Sequence, residues 1–264
     1  MPELLNTSSG NAVVVALDHG LSLGSPERFE NPSETLDRVL NGGPDGVLVG
    51  PHFARRYNDR LERADVDLVL TGDVVTWSTG PGREEGEDIW TPAFDADFMQ
   101  ELDPVGIKTV LVFGRDDVET FRRNIAYVSQ LAEELRGTDV SLVVEPVMWG
   151  SRIPDQLETD PAYVADALRM GWEFGADILK SPYTGSTETF EPIVSNAPVP
   201  VMILGGPASG TTQSILKSVE GAMAAGARGL MIGRSIWKSD DPAHTIRALN
   251  RIVHEGASTG DVWG

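Results

Sequence analysis

Gly171-Trp172-Glu173-Phe174-Gly175-Ala176-Asp177-Ile178-Leu179-Lys180-Ser181-Pro182-Tyr183-Thr184-Gly185 brings together a helix end, a glycine, a short apolar run and a lysine. Gly175 can take the left-handed conformation that ends a helix, and Ile178-Leu179 then reads as a short buried strand. The same junction recurs at Asn41-Gly42-Gly43-Pro44-Asp45-Gly46 and at Ala224-Ala225-Gly226-Ala227-Arg228-Gly229. Outward from this stretch, β-rich apolar runs fall at residues 12–17, 46–49, 68–70, 109–113, 142–144, 178–179, 201–204 and 230–232, eight in all. Residues 117–135, 160–174, 211–225 and 242–254 carry helical periodicity or helix-start signals, each opening with Asp, Thr or Pro near its first turn. Strands that alternate with helices require crossover connections and therefore a parallel sheet. Eight such units in 264 residues predict an α/β fold, a (β/α)8 TIM barrel in one domain over residues 1–264. A doubly wound open sheet is the alternative.

Composition narrows what such a barrel can do. Lysine and arginine number 21 against 40 aspartates and glutamates, a formal net charge of -19, which opposes binding to nucleic acid or an anionic membrane. So large an acidic excess with only four lysines looks like the composition of halophilic proteins, where hydrated carboxylates confer solubility and salt screens their repulsion; an ordinary acidic enzyme is the alternative. Cysteine is absent, which removes disulfides, thiolate metal sites and cysteine nucleophiles. The opening Met1-Pro2-Glu3-Leu4-Leu5-Asn6-Thr7 lacks a basic region followed by an apolar stretch, and no apolar run approaches the roughly 18 residues of a membrane span. A soluble cytoplasmic protein is expected. Residues 72–97 are too long for a tight β-to-α turn and predict a lid or subunit contact over the barrel mouth, or else a passive excursion. Residues 256–264 read as a weak tail that Trp263 could anchor.

Residues that follow each strand of a barrel converge on its C-terminal mouth. Asp18 and His19 follow the first run, Glu145 ends the fifth, Lys180 ends the sixth, Gly205-Gly206-Pro207 follow the seventh and Gly233-Arg234-Ser235 the eighth. An amine at the end of a buried strand is poised for imine chemistry, and Lys217 and Lys238 fall in or beside wet helical segments, leaving Lys180 and Lys108. Lys108, ahead of the run Thr109-Val110-Leu111-Val112-Phe113, would supply a cation that biases Lys180 toward its neutral, nucleophilic form, or would instead pair with a carboxylate at the barrel base. Glu145 follows three apolar residues, so its carboxylate is paired, solvated in a cleft or shuttling protons. Asp18 has the same logic, with capping of the next helix as its structural alternative. Gly205, Gly206 and Gly233 let backbone N–H groups approach an anion, Arg234 adds a charged clamp, and His19 reads either as a substrate or phosphate ligand or as a structural histidine; simple tight turns are the other reading of the glycines. The dinucleotide pattern Gly-x-Gly-x-x-Gly is absent after the first strand, which disfavours a nicotinamide cofactor, and the histidines show no metal-ligand spacing. Neither a cofactor nor a metal is expected.

Taken together, Leu17-Asp18-His19-Gly20, Ile178-Leu179-Lys180-Ser181-Pro182-Tyr183-Thr184-Gly185, Leu204-Gly205-Gly206-Pro207 and Ile232-Gly233-Arg234-Ser235-Ile236-Trp237 resemble the class I, Schiff-base aldolases of the archaeal fructose-bisphosphate aldolase and DeoC-like superfamily, aminodideoxyheptulosonate synthases included. The resemblance implies that Lys180 forms the imine, Asp18 assists, and Gly205, Gly206, Gly233 and Arg234 hold phosphate. Those enzymes carry Tyr-Pro-Arg-Gly after the fifth strand, with the tyrosine as proton donor, where this chain has Val147-Met148-Trp149-Gly150. Val144-Glu145-Pro146 and Lys108-Thr109-Val110-Leu111 look instead like the tagatose-bisphosphate and sulfofructose-phosphate aldolases, which implies transfer of the acid–base role to Glu145.

The implied reaction is metal-independent, reversible cleavage of a phosphorylated ketose to dihydroxyacetone phosphate and an aldehyde. Fructose 1,6-bisphosphate is the leading substrate, with fructose 1-phosphate, tagatose 1,6-bisphosphate and a sulfosugar phosphate open. Arg55, Arg56, Arg83 and Arg115 are candidates for a second phosphate. A 2-amino-3,7-dideoxy-D-threo-hept-6-ulosonate synthase-like transaldolase and a sugar-phosphate-binding module without catalysis are the rival functions. Related aldolases commonly assemble, so a homo-oligomer is expected.

Overall fold

The computed structural model describes residues 1–77, 88–115, 117–150, 152–205 and 211–263. In chain order they form β1 (Ala12–Ala16), α1 (His19–Leu23), α2 (Pro32–Leu40), β2 (Gly46–Val49), α3 (Pro51–Ala64), β3 (Asp67–Thr71), β4 (Asp73–Trp77), β5 (Asp88–Pro92), α4 (Ala96–Gln100), β6 (Gly106–Val112), α5 (Val118–Glu134), β7 (Ser141–Val147), α6 (Pro161–Glu173), β8 (Ile178–Ser181), α7 (Thr187–Asn196), β9 (Val201–Leu204), α8 (Thr212–Ala224), β10 (Gly229–Ile232), α9 (Arg234–Trp237), α10 (Pro242–Glu255) and α11 (Thr259–Val262). A short 3-10 helix, Glu3–Leu5, precedes β1. Eight parallel strands close a barrel in the order β1-β10-β9-β8-β7-β6-β3-β2. No helix among the described residues is long and apolar enough to cross a membrane.

All eight runs read from the sequence become barrel strands, and the helical segments become α5, α6, α8 and α10. The start signals act as capping chemistry requires. Asp117 accepts from the backbone N–H groups of Glu119 and Thr120, Asp160 from those of Ala162 and Tyr163, and Thr211 from that of Ser214. At the three glycine junctions, Gly43, Gly175 and Gly226 take φ values of 67°, 105° and 95°, the left-handed turn that releases the chain from helix to strand.

Side chains alternate across each strand, and this period of two sorts the core into two clusters. Val13, Val15, Val47, Val49, Leu70, Leu142, Val144 and Leu179 face outward and pack under the helices. Ala12, Val14, Ala16, Leu48, Val69, Val143, Ile178, Met202 and Met231 fill the barrel, and Leu4 and Leu5 of the 3-10 helix belong to the same inner cluster. Two positions beyond Val69, Val143 and Ile178 on the inward row stand Thr71, Glu145 and Lys180, so the pleat itself carries polar side chains above an apolar floor.

Two segments read as a long connection and a tail carry regular structure. Residues 72–97 contain the antiparallel hairpin β4–β5, paired from Asp73↔Pro92 to Trp77↔Asp88; its tip, with Thr79-Gly80-Pro81-Gly82 and Arg83, lies outside the described residues. The hairpin root is fixed to the barrel wall: Tyr127 on α5 donates to Gly72 O at 2.8 Å and Phe94 O at 3.1 Å, while Ala93 and Phe94 N–H groups donate to the same Gly72 carbonyl. The C-terminal residues are also tied down. Thr259 donates through N and Oγ1 to Glu220 Oε2 at 2.9 and 2.6 Å, and the Trp263 ring lies 4.9 Å from that of His244.

Candidate active site

Five barrel strands bring one ionic cluster together. Lys180 on β8 donates to Glu145 Oε2 on β7 at 2.9 Å, and Lys108 Nζ on β6 lies 3.5 Å from the same oxygen. Lys108 is also 3.5 Å from Asp18 Oδ2, which follows β1, and 3.9 Å from Asp73 Oδ1, which follows β3. Lys108, Glu145 and Lys180 are 6%, 3% and 6% exposed, so their charges must be matched by one another. The sequence placed Lys108 ahead of a strand beginning at residue 109; β6 in fact begins at Gly106, and Lys108 lies within it, paired with Thr71 of β3 and Val143 of β7. The run Thr109–Phe113 after Lys108 had masked a strand whose start is Gly-Ile-Lys.

Burial would strip the Lys108 proton, but Glu145, Asp18 and Asp73 outweigh it and hold the ammonium above its ordinary range. Burial likewise opposes ionisation of Asp18, yet Lys108, His19 and Lys180 bring its carboxyl below the usual carboxylate value. Although Asp18 occupies the N-cap position of α1, its side chain makes no capping hydrogen bond. Its carboxylate instead faces the ammonium of Lys108 and the His19 ring, whose Nδ1 is 3.5 Å away. Burial pushes His19 down to about 4 against the pull of Asp18, with Arg234, Lys180 and Lys108 adding to the fall. The imidazole is therefore neutral near pH 7, and it meets the Trp237 ring edge-on at 5.5 Å.

His19 also joins this cluster to the expected anion site. A Cβ built on Gly233 would stand 2.4 Å from both Ala16 O and His19 Cε1, so only glycine lets the end of β10 pass this close to β1 and the histidine. Gly233 opens α9 with no side-chain cap, which leaves first-turn N–H groups unclaimed by any side chain and Arg234 as the first helical residue. Gly205 stands beside Ile232, where a Cβ would come within 3.1 Å. Gly206 lies outside the described residues. Arg115, at the C-terminal end of the β6 wall, is buried, whereas Arg55 stacks over Phe98 at 5.7 Å.

Asp73 is the group that sequence reasoning missed. It is 3% exposed, and one oxygen, Oδ2, accepts from Val110 N at 2.8 Å, Thr109 Oγ1 at 2.7 Å and Trp90 Nε1 at 2.9 Å. Burial pushes its carboxyl up, with Lys108, Trp90, Val110 and Thr109 opposing. Its only sequence signal was position: an acid directly after Gly72, just past the apolar run 68–70, where mouth residues belong. Among the described residues, no three acidic or histidine side chains are arranged to hold a metal ion.

This geometry has recognisable relatives. Residues 12–239 match the DeoC/LacD family aldolase. An uncharacterised aldolase of Saccharolobus solfataricus is 30% identical over 96% of this chain and 93% of its own length. The class 1 fructose-bisphosphate aldolase of Thermoproteus tenax is 29% identical, with 94% and 91% covered, and the 2-amino-3,7-dideoxy-D-threo-hept-6-ulosonate synthase of Halobacterium salinarum is 27% identical, with 93% and 87% covered. Among solved structures, an archaeal fructose-1,6-bisphosphate aldolase with its catalytic lysine bound to the carbinolamine intermediate superposes with a TM-score of 0.80, at 28% identity over 93% of this chain and 95% of that one. A closed barrel with two buried lysines and two or more carboxylates at its mouth, matched over most of its length by aldolases, identifies the chain as an enzyme of the lyase class that belongs to the DeoC/LacD aldolase family.

Proposed function

We propose that the chain cleaves a phosphorylated ketose to dihydroxyacetone phosphate and an aldehyde through an imine on Lys180, with fructose 1,6-bisphosphate as the leading substrate. The 2.9 Å hydrogen bond between Lys180 Nζ and Glu145 Oε2, buried beside Lys108, carries the reading. Transfer of a proton along that bond turns a buried ion pair into a neutral pair without changing the net charge of the site. The freed amine attacks the ketone carbon. Glu145, now a carboxylic acid, returns its proton to the departing hydroxyl, so that water leaves and a protonated imine remains.

That imine is the electron sink for the next bond change. A carboxylate takes the proton of the hydroxyl two carbons beyond the imine carbon, the bond from that hydroxyl-bearing carbon to the carbon next to the imine breaks, and its electron pair flows into the enamine as the aldehyde departs. Glu145 and Asp18 are the groups that serve this step, and Lys108, held positive, faces both and limits the build-up of negative charge. Gly205, Gly206, Gly233, Arg234 and neutral His19 receive the phosphate, and the fixed phosphate sets the reacting carbon against the amine. Val147 stands where the archaeal aldolases resembled here carry a tyrosine, which supports an acid–base role for Glu145.

The test is borohydride trapping in concentrated salt with dihydroxyacetone phosphate, read by intact mass and peptide mapping. One adduct on Lys180, absent from Lys180→Met, is the expected result; a folded protein with no adduct anywhere would sink the imine mechanism. The similarity to the heptulosonate synthase of Halobacterium salinarum supports a second reading, transfer of the enamine to a different carbonyl acceptor. NMR of the products formed, without borohydride, from dihydroxyacetone phosphate and a panel of aldehydes separates the two.

A further inference from the structure

The strand β3 pairs with β6 only from Val69↔Gly106 to Thr71↔Lys108. Beyond Thr71 the chain turns off the barrel into the hairpin, so the Val110 N–H of β6 loses the neighbour that a longer β3 would have supplied. The Asp73 carboxylate takes that place at 2.8 Å, and the same oxygen accepts from Thr109 on β6 and from Trp90 on the far strand of the hairpin. Three donors converge on Oδ2, which orients the carboxylate and leaves Oδ1 toward the Lys108 ammonium, 3.9 Å away. Oδ1 has no hydrogen-bond partner among the described residues. One side chain thus ties together the wall of the barrel, the hairpin above its mouth and the cation of the ionic cluster.

We propose that Asp73 is a positioning residue that holds Lys108 at its distance from Glu145 and Lys180, and that Trp90 makes this hold depend on the docked hairpin. The inference rests on the imine-aldolase reading of the same site. Lys108 is shared among Asp18, Asp73, Glu145 and the Thr71 hydroxyl, which accepts from it at 3.4 Å. Without the charge of Asp73, the ammonium is drawn toward the remaining carboxylates and competes with Lys180 for Glu145. The charged and titratable groups that face Asp73 are Lys108 on β6 and Tyr127 on α5, with Asp18 and Glu145 on the other side of Lys108.

The Asp73→Asn substitution separates packing from charge, because the amide oxygen can still accept from Val110, Thr109 and Trp90. The full-length variant is expected to melt close to the parent, to keep KM within about threefold, and to lose kcat by ten-fold or more. The acidic limb of its kcat–pH profile should move to lower pH, since an anion near the working carboxylates has been removed, by about half a unit or more at this range of separations. Trp90→Phe keeps the ring and removes the hairpin's hydrogen bond; it should lower kcat in the same direction, and the double variant should lose less than the two single losses multiplied together. Unchanged kcat and profile in folded Asp73→Asn would overturn the proposal, as would strictly multiplicative losses. If Asp73→Asn does not fold, Trp90→Phe decides: parental kinetics in that variant would overturn it alone. Borohydride trapping of the parent protein is run alongside, so that absence of a Lys180 adduct there counts against the aldolase mechanism, and a normal adduct with unaltered variants counts against Asp73 only.

Discussion

A lysine whose amine hydrogen-bonds a carboxylate would be an ordinary buried ion pair if its surroundings held one charge of each sign. Here two ammonium groups meet the same Glu145 oxygen, and Lys108 is shared with Asp18 and Asp73 besides, so proton movement between Lys180 and Glu145 leaves other charges in place to absorb it. Glu145→Gln removes the movable proton yet preserves the shape, and kcat should fall 100-fold or more with little change in KM; steady-state kinetics check this. His19 gives a prediction for stability. Its folded-state value near 4 lies below the ordinary 6.5, so the unfolded chain binds the extra proton and stability falls as pH drops from about 6.5 to about 4. His19→Gln should flatten that part of the curve, a difference on the order of 2 kcal/mol between its ends by urea unfolding. Lys180, Glu145 and Asp18 were legible in the sequence because each charge interrupts or ends an apolar run. Asp73 was not, because its meaning comes from β3 leaving the barrel early, and no spacing records which neighbour a strand has lost.

At the scale of elements, a repeated device sets the strands in register. Asp45, just ahead of β2, accepts from Val13 N of β1 at 2.6 Å, and Asp177, just ahead of β8, accepts from Leu142 N of β7 at 2.8 Å. In each case the acid of a Gly-x-Asp junction binds the N–H at the entrance of the preceding barrel strand, so the turn that ends a helix also fixes where the next strand pairs. Asp45 does more: its Oδ2 meets His254 Nε2 on α10 at 2.9 Å, and His254 Nδ1 meets Ser9 Oγ at 2.7 Å, which ties the last long helix to the segment before β1. Asp45→Ala should cost about 1–3 kcal/mol, chiefly by stranding the Val13 N–H, and should exceed the loss from His254→Ala. The double variant should fall short of additivity in chemical denaturation, since both remove one shared bond. The junction glycines and the alternation of strand and helix were plain in the sequence; the hairpin was not. Its strand Asp73–Trp77 follows β3 with one residue between, and a reading by apolar runs merges the two into a strand and a loop.

The whole molecule carries -19 formal charges, and the N-terminal end of the barrel shows what that means locally. Asp67 at the start of β3 is pushed up to about 6, by burial first and then by Glu3, Asp45 and Asp65. A carboxyl whose folded value exceeds its ordinary 3.8 binds its proton more tightly when folded, so this residue withdraws stability as pH rises from about 4 to about 6. The sign opposes that of His19 over much of the same range, so the two contributions partly cancel. Half-buried as it is, Asp67 costs on the order of 1 kcal/mol at neutral pH after solvent screening. The part of that cost beyond burial is repulsion from Glu3, Asp45 and Asp65, which added salt screens because the Debye length falls from about 10 Å at 0.1 M to about 3 Å at 1 M. The unfolding midpoint should therefore rise with potassium chloride across this range, as expected for a chain of 40 acids and 21 bases. Asp67→Asn should raise the midpoint in dilute salt and lose the repulsive part of that advantage in concentrated salt, whereas an equal gain at both concentrations would assign the cost of Asp67 to burial alone.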